Sequence, residues 1–453
     1  MASAYLSRTP SSAGNRKIFT FSGWIKRTTS DAATAYSTLF SAGSDSDVQG
    51  YAQAVVWGDS NDFLEFTVYD SSYLRFRTNQ LFRDVSGWYH IVVAVDTTQA
   101  SNNNRVKIYV NGEQVTSFAT YNTMPQNFDT SVNNTTVQKI GASSNSAGGI
   151  GNYLDGLMTH VNFVDGTALT PTSFGQSDSN GVWIPKPSPS VTYGTNGYFL
   201  KMDNSGNMGL DSGGGSNNFT TSGTITQAKD TPSNVFATLN PLDVFNTSGR
   251  TLSNGNNTYT TSSGNNSEVA GTLAASSGKY YFETKIVSQS GSAGSSAKYG
   301  VIGVKKINKG TLAAGEAATI YSDGRKNNGY DSVSNATPGY TLNDIVQVAL
   351  DLDNNQIFFG LNGNWGDNAG NFNQTFANAT ALYTSLSTVG EWTPYLNKNV
   401  TNDNTLTLSA NFGNGYFGTT AVTSAGANAS GNGIFEYDVP TGYTALSTKG
   451  LNS

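Results

Sequence analysis

Apolar and polar residues alternate with a period of two along much of the chain. Leu64, Phe66 and Val68 interleave with Glu65, Thr67 and Tyr69, Leu74 and Phe76 with Arg75 and Arg77, and Val106, Ile108 and Val110 with Lys107 and Tyr109. Successive side chains of a strand point to opposite faces, so this pattern predicts half-buried β-strands. Residues 89–95 are apolar on both faces and predict a central strand. Asn111-Gly112 follows Val110 directly and predicts a type I′ hairpin turn.

The second half alternates in the same way. Tyr280, Phe282, Thr284 and Ile286 share one face, as do Val346, Val348, Leu350 and Leu352, and again Leu406, Leu408, Ala410 and Phe412. Asn354-Asn355 and Asn362-Gly363 are turn dipeptides that bracket a strand over 356–361. Residues 181–242 are different in kind. They contain Ile184-Pro-Lys-Pro-Ser-Pro189 and Ser212-Gly-Gly-Gly-Ser216, with isolated anchors at Tyr198, Phe199, Leu200 and Phe219. Such a segment reads as a connector whose anchors lay it along a sandwich. No helix of convincing length and no repeat of 20–50 residues is visible. The expectation is an all-β chain: two antiparallel β-sandwich (jelly-roll) domains, 1–180 and 243–453, joined by an irregular connector, 181–242.

Composition narrows the function. Fifty glycines with only 12% charged residues suit many strands joined by tight turns. A net charge of −6 without a basic stripe gives nucleic-acid binding no electrostatic support. The absence of cysteine removes thiol nucleophiles and Cys-ligated zinc, and two histidines, His90 and His160, weaken any His-rich metal site. The N-terminus shows no apolar leader, and no run of 18 apolar residues occurs. The expectation is therefore no signal peptide and no membrane span.

Four pieces in order resemble the laminin-G-like, concanavalin A-type jelly roll. They are Phe19-Thr-Phe-Ser-Gly-Trp-Ile-Lys26, Gly87-Trp-Tyr-His-Ile-Val-Val-Ala-Val95, Val106-Lys-Ile-Tyr-Val-Asn-Gly-Glu113 and Tyr153-Leu-Asp-Gly-Leu157. A longer ordered series resembles the SPRY domain. It includes Ser277-Gly-Lys-Tyr-Tyr-Phe-Glu283, Tyr299-Gly-Val-Ile-Gly303, Ile357-Phe-Phe-Gly-Leu-Asn-Gly363, Ala410-Asn-Phe-Gly413 and Pro440-Thr-Gly-Tyr-Thr-Ala-Leu446. The run between them passes through Thr159-His-Val-Asn-Phe-Val-Asp-Gly166, Gly181-Val-Trp-Ile-Pro185 and Thr238-Leu-Asn-Pro-Leu-Asp243. It resembles the junction in virion proteins of phages that infect marine and other aquatic bacteria. That resemblance implies a bacteriophage structural protein, made in the host cytoplasm and displayed on the virion surface. It would serve as a head decoration or fibre, or as a tail-fibre component, in several copies or as a homo-oligomer.

The sequence carries none of the catalytic patterns expected of its residue types. Glycan hydrolases of the jelly-roll type use Glu-x-Asp-x-x-Glu on one strand, and no such spacing occurs; Asp351-Leu-Asp353 has no flanking glutamate. Either histidine would have to serve as base in a Ser-His-Asp arrangement, and both alternate with apolar neighbours in strand-like stretches. The chain reads as non-catalytic. Cofactors are expected to be none, with calcium at Asp45, Asp47, Asp59 and Asp62 as the one open option.

Binding is the remaining chemistry. Sugar recognition needs aromatic platforms beside polar donors and acceptors, carried on a rigid scaffold. Tyr51, Trp57 and Asp59 form one such cluster in sequence, and Tyr69, Tyr73, Arg75 and Arg77 a second. Tyr321, Asp323, Arg325 and Tyr330, with Asp331, form a third, and Trp365 after the Asn362-Gly363 turn is a single candidate. The expected partners are host surface glycans or neighbouring virion proteins. The alternatives are a bacterial extracellular lectin or adhesin and, behind it, a glycan hydrolase.

Overall fold

The computed structural model describes residues 3–452 apart from 29–35, 44–53, 59–61, 71, 145–148, 244, 263–266, 290–299, 308–309, 311, 330–331, 334–335 and 399–404. Nearly all of its regular structure is strand, and the only α-helix among the described residues is the single turn Thr448–Leu451. The chain forms two compact units, Met1–Gln227 and Ala228–Ser453.

The first unit is a sandwich of two antiparallel sheets. The larger runs edge to edge through Phe118–Tyr121, Ser72–Leu81, Phe63–Asp70, Ala54–Gly58, Tyr36–Ala42, Gln138–Ile140, Tyr5–Arg8 and Thr220–Ser222. The smaller runs through Tyr198–Leu200, Gly156–Asp165, Ile18–Arg27, Tyr89–Asp96, Val106–Val110 and Glu113–Gln114. The alternating residues of both sheets meet in one core: Leu64, Phe66, Val68 and Phe76 from one side, Phe21, Ile91, Val93 and Ile108 from the other. Burying each such side chain contributes about 1.5–3 kcal/mol. The turn at Asn111-Gly112 has φ of 49° and 91°, the paired left-handed conformation a two-residue type I′ hairpin requires.

Tyr89–Asp96 is apolar on both faces because both are covered. Ile91, Val93 and Val95 face the core, while Val92 and Ala94 pack under Phe174, Tyr193 and Phe199. Tyr193 and Phe199 of this cover come from the stretch whose composition reads as a connector. Residues 181–242 do not form a separate linker. Trp183–Pro185 pairs with Gly175–Ser177, Tyr198–Leu200 extends the smaller sheet, and Thr220–Ser222 extends the larger. Phe236 and Leu239, by contrast, are built into the second unit. The anchors Tyr198, Leu200 and Phe219, spaced along this turn-rich stretch, are core residues.

The second unit repeats the architecture. One sheet runs through Arg250–Ser253, Thr258–Thr261, Leu406–Asn411, Lys279–Gln289, Ile345–Asp351, Gln356–Leu361, Asn364–Gly366 and Phe372–Gln374, with Thr444–Ala445 added in parallel beside Lys279–Gln289. The other runs through Ser267–Ala270, Trp392–Lys398, Val301–Lys306, Ala317–Tyr321, Lys326–Asn327 and Ser332–Val333. Val346, Val348 and Leu350 meet Ile302, Val304 and Ile320 between them. The opposite face of the first sheet is covered by Phe435, Val439 and Tyr443 near the C-terminus.

Candidate functional site

The hairpin Phe63–Asp70/Ser72–Leu81 separates its residues by face. Cross-strand partners point the same way in an antiparallel pair, and the register is Glu65 with Arg77, Thr67 with Arg75 and Tyr69 with Tyr73. Since Leu64, Phe66 and Val68 fill the core, these six side chains share the outer face. Glu65 is buried at the centre. Its Oε1 accepts from Thr67 Oγ1 at 2.6 Å and its Oε2 from Arg77 Nε at 2.7 Å. Arg75 lies over the Tyr73 ring with Cζ 4.9 Å from the centroid, and Arg77 over Phe63 at 3.8 Å. Tyr69 and Tyr73 meet edge to face at 5.3 Å. The second cluster read from the sequence is thus assembled as one half-exposed Tyr/Arg surface. Glu65 and Phe63 were missed, although their place in the same alternation would have put them on that face.

The other candidates are placed differently. Tyr51 and Asp59 lie outside the described residues. Trp57 faces inward with 0% exposure, packed on Phe82 and Tyr89. It alternates with Val56 in register, so it joins Val55 in the core and offers no platform. Tyr330 and Asp331 lie outside the described residues. Tyr321 is buried with Val301 and Tyr395. Arg325 donates from Nε to Asp323 Oδ2 at 2.5 Å and lies 4.6 Å over the Tyr321 ring, so the turn neutralises its own charges. Trp365 is 3% exposed, because the C-terminal residues Phe435 and Tyr443 share its cluster on that sheet face.

Asp45, Asp47 and Asp59 also lie outside the described residues, and Asp62 forms a buried ion pair with Arg27 at 2.8 Å. Among the described residues there is no group of three or more His, Asp or Glu placed to hold a metal ion.

The buried titratable groups are held in internal networks. His90 Nε2 is 2.9 Å from Ser22 Oγ, which looks like a nucleophile and its base. Its Nδ1, however, is 3.0 Å from Trp183 Nε1. An indole N–H only donates, so Nδ1 is the acceptor and Nε2 carries the proton. His90 therefore donates to Ser22 and cannot take its proton. Burial pushes the imidazole down to about 3, with His160 adding to the shift. In the second unit Asp351 pairs with Lys279 at 2.8 Å, and Asp353 accepts from the Gly278 amide at 2.7 Å. Those two carboxylates hold a strand end.

Known proteins resemble parts of this chain. No curated protein matches it. Among solved structures, the SPRY domain of human HERC1 is 15% identical, covering 36% of this chain and 91% of that one, with a TM-score of 0.27. The TRIM65 PSpry domain is 14% identical over 38% and 91%, with a TM-score of 0.26. The heptameric SAP-like pentraxin of Limulus polyphemus is 18% identical over 37% and 71%, with a TM-score of 0.27. The match to a family model is confined to the first unit: residues 2–174 match the laminin G type of the concanavalin A-like lectin/glucanases superfamily, and carry its jelly roll.

Proposed function

We propose that this chain is a non-catalytic structural protein displayed on the surface of a bacteriophage particle, where it binds host surface glycans or neighbouring virion proteins. The observation that carries the binding reading is the division of its side-chain chemistry. His90, Glu268, Glu283 and Asp351 are committed to internal hydrogen bonds and ion pairs, while the Tyr69/Tyr73/Arg75/Arg77 face keeps donors and rings at the surface. That division suits recognition by a rigid scaffold. The phage setting is drawn from the resemblance of the 159–243 run to virion proteins. Two sandwiches with separate cores suit a globular decoration or a fibre tip.

The test is location. Mass spectrometry of purified particles, followed by antibody labelling in electron micrographs, is expected to find the chain on the outside of the head or tail. Its absence from particles that carry the gene overturns the virion role. Incubation with a polysaccharide panel is expected to release no reducing ends. Hydrolysis abolished by a single Asp or Glu substitution overturns the non-catalytic reading.

A further inference from the structure

Two arginine side chains on the outer face of the 63–81 hairpin are fixed in place with most of their donors unused. Arg75 is braced on Tyr73 and Arg77 on Phe63. Arg77 uses only Nε, on Glu65. Arg75 Nε sits 3.9 Å from Glu65 Oε1, too far for a hydrogen bond, and has no hydrogen-bond partner. The terminal nitrogens of both guanidinium groups make no hydrogen bond among the described residues. The side chains are 31% and 26% exposed, so those nitrogens reach the surface.

Two positive charges stand here over one buried carboxylate. Among the described residues the face therefore carries a local excess of one positive charge, on a chain whose net charge is −6. Screening over about 8 Å at physiological ionic strength lets the local excess dominate at contact distance. A guanidinium fork matches a planar carboxylate or a sulfate ester, and cation–π bracing removes much of the rotamer freedom that binding would otherwise cost. Beside the forks, the half-exposed Tyr69 and Tyr73 rings offer a surface for the apolar face of a pyranose. From this we infer that the hairpin face binds an anionic saccharide, one bearing a carboxylate or a sulfate ester. Arg75 and Arg77 hold the acidic group, and Tyr69 and Tyr73 pack on the ring. The inference rests on the glycan-binding arm of the proposed function and names its ligand class.

The full-length chain is titrated by calorimetry with polygalacturonate, dextran sulfate and neutral dextran. Binding to at least one acidic polymer, weakening with salt, is expected, with none to dextran. Arg75→Gln leaves the Arg77–Glu65 pair intact and is expected to weaken binding about tenfold or more. If that variant loses its wild-type melting temperature, Arg75→Lys replaces it, retaining the charge without the fork, and an affinity several-fold lower is expected. Acidic-polymer binding that neither variant changes places the site elsewhere and overturns the assignment. Binding to dextran alone overturns the ligand class while leaving glycan binding standing. Binding to none of the three, nor to any member of a broad glycan array, overturns this inference and the glycan-binding arm together, and leaves the particle-location test untouched.

Discussion

Trp183 Nε1 donates to His90 Nδ1 across 3.0 Å, joining a segment with turn-forming composition to the central strand of the first sandwich. His90 is also stacked on Trp24 at 4.7 Å with ring planes 10° apart, and is fully buried. Trp183→Phe leaves Nδ1 buried without its donor, and is expected to cost about 1–3 kcal/mol. A lower melting temperature for the 1–227 fragment checks it. Gly175→Ala should act at the same latch, because a Cβ there would lie 2.4 Å from Trp183 Cζ2.

The same pair fixes a pH dependence. Burial lowers His90 from 6.5 to about 3, so the unfolded chain binds this proton more readily than the folded one. The contribution is fully present above pH 6.5 and is lost as pH falls toward 3. His160, lowered to about 4 chiefly by burial with Lys201 adding, acts in the same direction. Imidazole resonances in NMR spectra of the first unit are expected to show no titration between pH 8 and 5.

Glu283 gives the second unit the opposite slope. Tyr281 hydroxyl and the Tyr437 amide donate to Oε1, and the Glu436 amide and Asn411 Nδ2 donate to Oε2. Burial outweighs these donors and raises the carboxyl from 4.5 to about 7. A raised carboxyl makes the folded state the stronger proton binder. Its contribution is present below pH 4.5 and is lost as pH rises through 7, with a slope of at most about 1.4 kcal/mol per pH unit. Glu283→Gln is expected to abolish that slope and to cost about 1–3 kcal/mol by turning an amide N–H₂ toward two donors. Urea unfolding from pH 5 to 8 checks both.

Lys305 and Glu268 form a buried ion pair at 3.1 Å, with side-chain exposures of 1% and 5%. Tyr395 hydroxyl donates to the other carboxylate oxygen at 2.6 Å. Lys305→Met removes the buried cation that Glu268 shares with Asp243, whose Oδ2 lies 3.7 Å from Lys305 Nζ, and is expected to cost about 3–5 kcal/mol. Adding Glu268→Gln should recover part of it in a double-mutant cycle. Thr284→Val should shift stability the other way. Thr284 is buried on the core row with Oγ1 lacking a partner, and removing that hydroxyl is expected to stabilise by about 1 kcal/mol.

The unit boundary predicts which fragments fold. A chain ending at residue 227 retains Tyr198, Leu200 and Phe219, all part of the first core. A chain ending at 180 removes them and Trp183. The first is expected to melt cooperatively and the second to be expanded, as read by circular dichroism and light scattering.

Local rules carried much of this fold in the sequence itself. Period-two alternation identified the strands, because a pleated strand with one buried face admits no other spacing, and Val346, Val348 and Leu350 lie on the core face it indicates. Asn111-Gly112 identified a hairpin, because its two left-handed residues are cheap only for such a pair. Alternation also put Tyr69, Tyr73, Arg75 and Arg77 on one face. What alternation cannot say is what lies against that face. Trp57 and Trp365 occupy strand positions whose environment is set by distant chain, and the tertiary structure buried both. The same holds for 181–227: its turn-rich composition is a local property, while its place as the outer cover and extra strands of the first sandwich depends on long-range pairing with residues such as Tyr5, His90 and Phe163. Local geometry is written residue by residue, whereas burial is decided by which segments meet.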